Sequence, residues 1–115
     1  MEVIEKPWGR EEVIELNPRY MVKRLTMFKG HRCSLQYHKS KQETIYILAG
    51  RLALLKGLKE DKLTSLVYAP GEFFTLEPGI VHRMEAVDDC EYLEASTPEM
   101  EDVVRLSDDY MRASG

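Results

Sequence analysis

Gly30-His31-Arg32-Cys33-Ser34-Leu35-Gln36-Tyr37-His38-Lys39-Ser40-Lys41-Gln42-Glu43 is the stretch from which the fold is read. If Ser34 to His38 is a strand, successive side chains point to opposite faces, and Gln36 and His38 share one of them. Lys39 to Gln42 is then a polar turn, and Glu43 opens a second strand whose apolar residues run on to Gly50. The same grammar continues in both directions. Turn residues recur at Pro7-Trp8-Gly9, Asn17-Pro18, Gly57, Pro70-Gly71, Pro78-Gly79 and Pro98. Between them lie short runs rich in Val, Ile, Leu, Thr, Tyr and Phe, at Glu12 to Leu16, Tyr20 to Phe28, Thr44 to Leu48, Arg51 to Leu55, Lys62 to Tyr68, Phe73 to Leu76 and Cys90 to Ala95. Short strands at this spacing specify an all-β sandwich or barrel. Only Met100 to Met111 carries helical spacing, with Met100, Val103, Val104 and Met111 on one face, and it reads as a short C-terminal helix or an irregular strap.

The chain has 115 residues, enough for one domain spanning residues 1–115. With 43% hydrophobic and 31% charged residues it is an ordinary globular composition. Sixteen basic against twenty acidic residues leave a formal charge of −4, which argues against a nucleic-acid partner. No apolar run is long enough to span a membrane, and the charged N-terminal segment does not resemble a signal peptide. Two cysteines, Cys33 and Cys90, are too few for a disulfide framework and suit a reducing, cytoplasmic setting.

Gln36, His38 and Glu43 converge near one end of the proposed hairpin, and His82 follows a second turn at Glu77-Pro78-Gly79. An amide oxygen, two imidazoles and a carboxylate make a donor set for a borderline divalent ion, with positions left for substrate or water. Each residue alone has a plainer reading: a single strand histidine is more often a hydrogen-bonded surface group, and Gln or Glu beside a lysine-rich turn is usually solvated. Lys39 and Lys41 read the same way, as turn lysines facing water. His31 has the opposite parity to Gln36 and His38 and should point away. Cys33 reads as a buried thiol, and Trp8 as an anchor that docks the N-terminal segment.

Gly30-x5-Gln36-x-His38-x4-Glu43-x6-Gly50 resembles the first motif of the cupin superfamily, with Gln at the place of the usual first His, and Gly71 to His82 resembles the second. A closer resemblance covers nearly the whole chain. Lys6-Pro7-Trp8-Gly9, the strand Tyr20 to Leu25, Ser34 to His38, Pro78 to Arg83 and Glu101 to Arg112 all look like the cupin domain of type II phosphomannose isomerases. The resemblance implies a double-stranded β-helix, or jelly-roll barrel, with metal ligands at Gln36, His38, Glu43 and His82. The ion it implies is zinc first, with manganese, cobalt, nickel and iron as alternatives. In that family the domain often follows a guanylyltransferase domain; these residues hold none of its Gly-rich nucleotide loop, so guanylyltransferase activity is not expected of them.

The implied reaction is a metal-dependent isomerisation of mannose 6-phosphate to fructose 6-phosphate by proton transfer between C1 and C2. It needs a polarised carbonyl, a base, and cations for the phosphate. Lys23 and Arg112 are the candidate catalytic residues, and Arg83, Arg105 and Tyr110 the candidate substrate-binding ones; Arg suits phosphate because its donors form a fork. The base is left open among Lys23, a carboxylate such as Glu72 or Asp109, and a metal-bound water. The pattern departs from the family at Thr44, Lys39 and Ser40, where histidines are usual. Those departures favour the alternative, a non-catalytic metal- and sugar-binding cupin acting as a sensor or accessory subunit. The expected partners are a sugar phosphate and a second copy in a homodimer.

Overall fold

A computed structural model describes residues 1–111. Eleven strands are formed: β1 (Glu2–Lys6), β2 (Gly9–Leu16), β3 (Met21–Met27), β4 (Leu35–His38), β5 (Glu43–Ala49), β6 (Leu52–Lys59), β7 (Lys62–Tyr68), β8 (Phe73–Leu76), β9 (Val81–Ala86), β10 (Cys90–Ser96) and β11 (Val103–Ser107). A six-stranded sheet in the order β1-β2-β3-β10-β5-β8 faces a five-stranded one in the order β11-β4-β9-β6-β7, and every pairing is antiparallel. This is the cupin jelly roll that the hairpin motif implies. No helix among the described residues is long and apolar enough to cross a membrane.

The C-terminal segment departs from the helical expectation. Val103 to Ser107 forms β11, an edge strand pairing with β4 from Val103 opposite His38 to Ser107 opposite Leu35. Two adjacent β-branched valines fit a pleated surface better than a helix interior, where they lose side-chain freedom. An open edge beside β4 supplies the hydrogen bonds that complete the strand.

Inward-facing residues change character along three strands of the larger sheet, and this gradient places the site. On β10 the buried positions run Cys90, Tyr92, Glu94, Ser96; on β5, read from its C-terminal half, they run Ile47, Ile45, Glu43; on β3 they run Met27, Leu25, Lys23, with buried Met21 beyond. One end of the barrel is therefore filled by Met27, Ile45, Ile47, Leu52, Leu54, Phe74, Cys90 and Tyr92, and the other end is lined with ionisable groups. Each fully buried Ile or Leu at the filled end contributes about 1.5–3 kcal/mol relative to its exposed state.

Candidate metal centre

Three strands bring the four donors together. Gln36 and His38 face inward from β4, and His82 faces inward from β9, the neighbouring strand, with Gln36 and His82 directly opposite one another. Glu43, the first residue of β5, reaches across from the other sheet. The turn before β9 is fixed at Gly79, whose φ of 84° is left-handed and whose N–H donates to the His38 carbonyl at 2.8 Å. That bond ties the second histidine's turn to the first histidine's backbone.

Ligand atoms of His38, Glu43 and His82 all lie within 4.8 Å of one another, and all three residues are buried. His38 Nε2 is 3.6 Å from Glu43 Oε2, and His82 Nε2 is 3.9 Å from Glu43 Oε1. The Gln36 side-chain amide is 3.5 Å from His38 Nε2, and Ser34 Oγ–H donates to its oxygen. A half-turn exchanges the two ends of an amide, so Gln36 can offer its oxygen to the same point.

Both rings are oriented by bonds on their far sides. His82 Nδ1–H donates to the Ile80 carbonyl at 2.9 Å, and His38 Nδ1 is 3.1 Å from Asp102 Oδ1. Each Nε2 is then left as a lone-pair donor directed at Glu43. Burial pushes His82 down to about 4 and, with Lys41 nearby, lowers His38 as well, so both stay neutral at physiological pH. Burial, with Glu94 close by, raises the Glu43 carboxyl to about 7 in the metal-free protein. His82 Nε2 is buried and has no hydrogen-bond partner, a costly state for a polar atom unless it serves a ligand. Neutral imidazoles, an amide and a carboxylate around that orphaned nitrogen fit a divalent cation.

A cavity of about 140 Å³ opens over Gln36, His38 and Glu43, with His82 buried behind them. Lys23, Arg105, Glu11, Lys41, Glu94 and Tyr92 are among its other lining residues. Lys23 Nζ is 2.6 Å from Glu11 Oε1, and Lys41 Nζ lies 2.7 Å from Glu94 Oε2 and 3.0 Å from Glu43 Oε2. Burial opposes charge on Lys41, but Glu94 and Glu43 outweigh it and raise the ammonium above the usual lysine range. Burial likewise opposes the Glu94 charge, yet Lys41 and Lys23 hold that carboxyl below its ordinary value.

The proposed ligands Gln36, His38, Glu43 and His82 are thus assembled, and Lys23 and Arg105 line the cavity with them. The other candidates are placed apart from this cavity or lie outside the described residues. Arg83 is not on the cavity: its neighbour His82 faces inward, so Arg83 faces outward, where its guanidinium donates to the carbonyls of Cys33 and Ser107 at 2.9 and 3.2 Å. Tyr110 does not line the cavity either; it packs against the hydrophobic core and its hydroxyl meets His31 Nδ1 at 2.6 Å. Arg112 lies outside the described residues. Of the possible bases, the Glu72 carboxylate accepts from the Ala69 N–H in a turn and Asp109 pairs with Arg32, both away from the cavity. Lys41, read as a solvated turn lysine, is buried between two carboxylates. Glu11, Glu94 and Asp102 were not anticipated; alternation along β10 from the apolar Cys90 and Tyr92 is the signal that would have turned Glu94 inward.

A family model described as the C-terminal region of mannose-6-phosphate isomerase matches residues 1–108. The chain belongs to that family. The chain is 33% identical over 113 residues to mannose-1-phosphate guanylyltransferase ManC of Salmonella typhimurium, and 27% identical over 114 residues to xanthan biosynthesis protein XanB of Xanthomonas campestris pv. campestris. In both cases 95% of the chain is covered but only 23% of the relative, so the cupin spans about a quarter of the length of these relatives. Among solved structures it is similar to KdgF from a Halomonas species, with a TM-score of 0.73 and 16% identity over 89% of this chain and 92% of that one. A Bacillus subtilis oxalate decarboxylase with Mn(II) centres superposes with a TM-score of 0.77 and 17% identity, over 92% of this chain and 30% of that one. At those identities the structural likeness establishes the shared fold.

Proposed function

We propose that this cupin is a metal-dependent sugar-phosphate isomerase that interconverts an aldose and a ketose 6-phosphate of the mannose and fructose type. The observation that carries the reading is the convergence of Gln36, His38, Glu43 and His82 under a cavity that Lys23, Glu11 and Arg105 also line. Those four residues would hold the ion, zinc being the first choice for two imidazoles and a carboxylate. A divalent ion bound there supplies Lewis-acid polarisation of the sugar's carbonyl oxygen.

The remaining work falls to the chain's own groups. Arg105 offers positive charge to a phosphate entering the cavity. The Lys23–Glu11 pair, 2.6 Å apart, is the candidate for moving the proton between C1 and C2: the Glu11 carboxylate would take the proton from one carbon and return it to the other, while the Lys23 ammonium offsets the negative charge left on the sugar. The apolar wall of Trp8, Leu25 and Met84 limits water around the reacting carbons. The proposal sets this chemistry in the cytoplasm, where the buried free thiols of Cys33 and Cys90 remain reduced.

Proton NMR of mannose 6-phosphate in deuterated buffer tests the reading. Protein loaded with zinc, cobalt, manganese or nickel should form fructose 6-phosphate or exchange the C2 proton. No conversion and no exchange with any of the four overturns it in favour of the second reading, a metal- and sugar-binding cupin without turnover. One observation favours that alternative: despite its burial, the Glu94 carboxyl is held below its ordinary value by Lys41 and Lys23, which blunts it as a base. A rise in melting temperature on adding the sugar phosphate, without conversion, would mark it.

A further inference from the structure

We infer that Asp102 is a positioning residue for the metal centre, setting the tautomer of His38 and clamping the loop that separates His38 from Glu43. The inference rests on the metal reading above and concerns a residue far along the chain, in the connection from β10 to β11. Its carboxylate is shared between two tasks. Oδ1 lies 3.1 Å from His38 Nδ1, and Oδ2 accepts the N–H groups of Ser40 and Lys41, both at 2.8 Å. The Asp102 main-chain carbonyl accepts the Lys39 N–H at 3.3 Å. Three consecutive amides of the loop therefore close on one residue, and the imidazole beside them closes on it too.

The loop from Lys39 to Gln42 is all that joins two of the proposed ligands, so its shape fixes where His38 and Glu43 stand relative to one another. Anchoring its amides on a carboxylate from a distant segment removes the freedom an exposed polar turn would otherwise keep. Holding the proton on His38 Nδ1 leaves Nε2 unprotonated and facing Glu43 and Gln36. His82 reaches the same state by donating to a carbonyl, which is uncharged. The two histidines are thus unequal: the one backed by a carboxylate is the more basic donor. Asp102 also directly precedes β11, the strand that brings Val103 and Arg105 to the cavity wall, so one side chain couples the metal ligand, the loop and that wall.

The test compares the full chain with Asp102→Ala and Asp102→Asn, first metal-free and then titrated with zinc against a chelator. Long-range proton–nitrogen spectra of the metal-free proteins at alkaline pH should place the His38 proton on Nδ1 in the parent and in Asp102→Asn, whose amide oxygen still accepts it. The same spectra should show it moved largely to Nε2 in Asp102→Ala. Zinc affinity should fall about 10–100-fold in Asp102→Ala and less in Asp102→Asn. In Asp102→Asn the Ser40 and Lys41 amides should exchange with solvent faster, because one oxygen cannot serve all three donors. An unchanged tautomer with unchanged zinc affinity in Asp102→Ala overturns the inference. If Asp102→Ala does not fold, unchanged amide exchange and unchanged zinc affinity in Asp102→Asn overturn it. A parent protein that binds no zinc, while its His38 tautomer still answers to Asp102, would instead remove the metal reading.

Discussion

His82 has almost no exposed surface and one ring nitrogen without a partner, a combination that polypeptides rarely leave in place. Removing it as His82→Ala, or neutralising its neighbour as Glu43→Gln, should lower zinc affinity by more than about 100-fold, beyond the effect of losing an outer partner. Elemental analysis after dialysis, with circular dichroism to establish a folded barrel, checks this; stoichiometric zinc in both variants would remove these residues as ligands. The donors were legible because Gln36, His38 and Glu43 lie close in sequence and alternation alone puts the first two on one face. Lys41 and Asp102 were not, because their meaning depends on partners from β10 and beyond it. A lysine in a polar turn looks solvated until Glu94, on another strand, is brought within 2.7 Å.

The strands were largely legible from their turns: β7 and β8 fall where the residue pattern puts them, and β3, β5 and β10 differ by a residue at their ends. β9 was not read as a strand because buried Val81, His82, Arg83 and Met84 break the inside–outside alternation. Loops cover its outer face, and Arg83 donates into one of them. The sequence offers Arg83 for phosphate on its forked donors and motif position alone, and its place on β9 next to inward-facing His82 turns it outward. The turn between β5 and β6 offers a sharper test of local geometry. Gly50 has a φ of 74°, and a Cβ there would stand 2.1 Å from the Asp89 carbonyl oxygen; Gly71 has a φ of 89° but open space. Gly71→Ala should lose about 1–2 kcal/mol from the left-handed backbone alone. Gly50→Ala should lose more, because the Asp89 backbone must also move. Urea denaturation of the two variants measures the difference, and equal losses would show that the Asp89 contact yields freely.

At the scale of the whole molecule, the thiols and the sheet edges make separate demands. Cys33 and Cys90 are buried, and burial pushes the Cys90 thiol up, so little thiolate forms near neutral pH. An aromatic disulfide reagent at pH 8 should therefore release almost no colour from the native protein and two equivalents after unfolding; rapid native reaction would mean that the barrel opens readily. The homodimer proposed for this cupin would pair copies along β1, one of the two outer strands of the larger sheet, which carries Val3 in an exposed position. Sedimentation of the parent and of Val3→Lys should give a dimer and a monomer respectively, whereas two monomers would discard the pairing. The barrel also carries its own optical probe. Trp8, the one tryptophan of the chain, is buried against the core and lines the cavity above the proposed ligands. Its emission should be blue-shifted in the resting protein and should change when a paramagnetic ion or a sugar phosphate enters, so occupancy can be followed by fluorescence without a label.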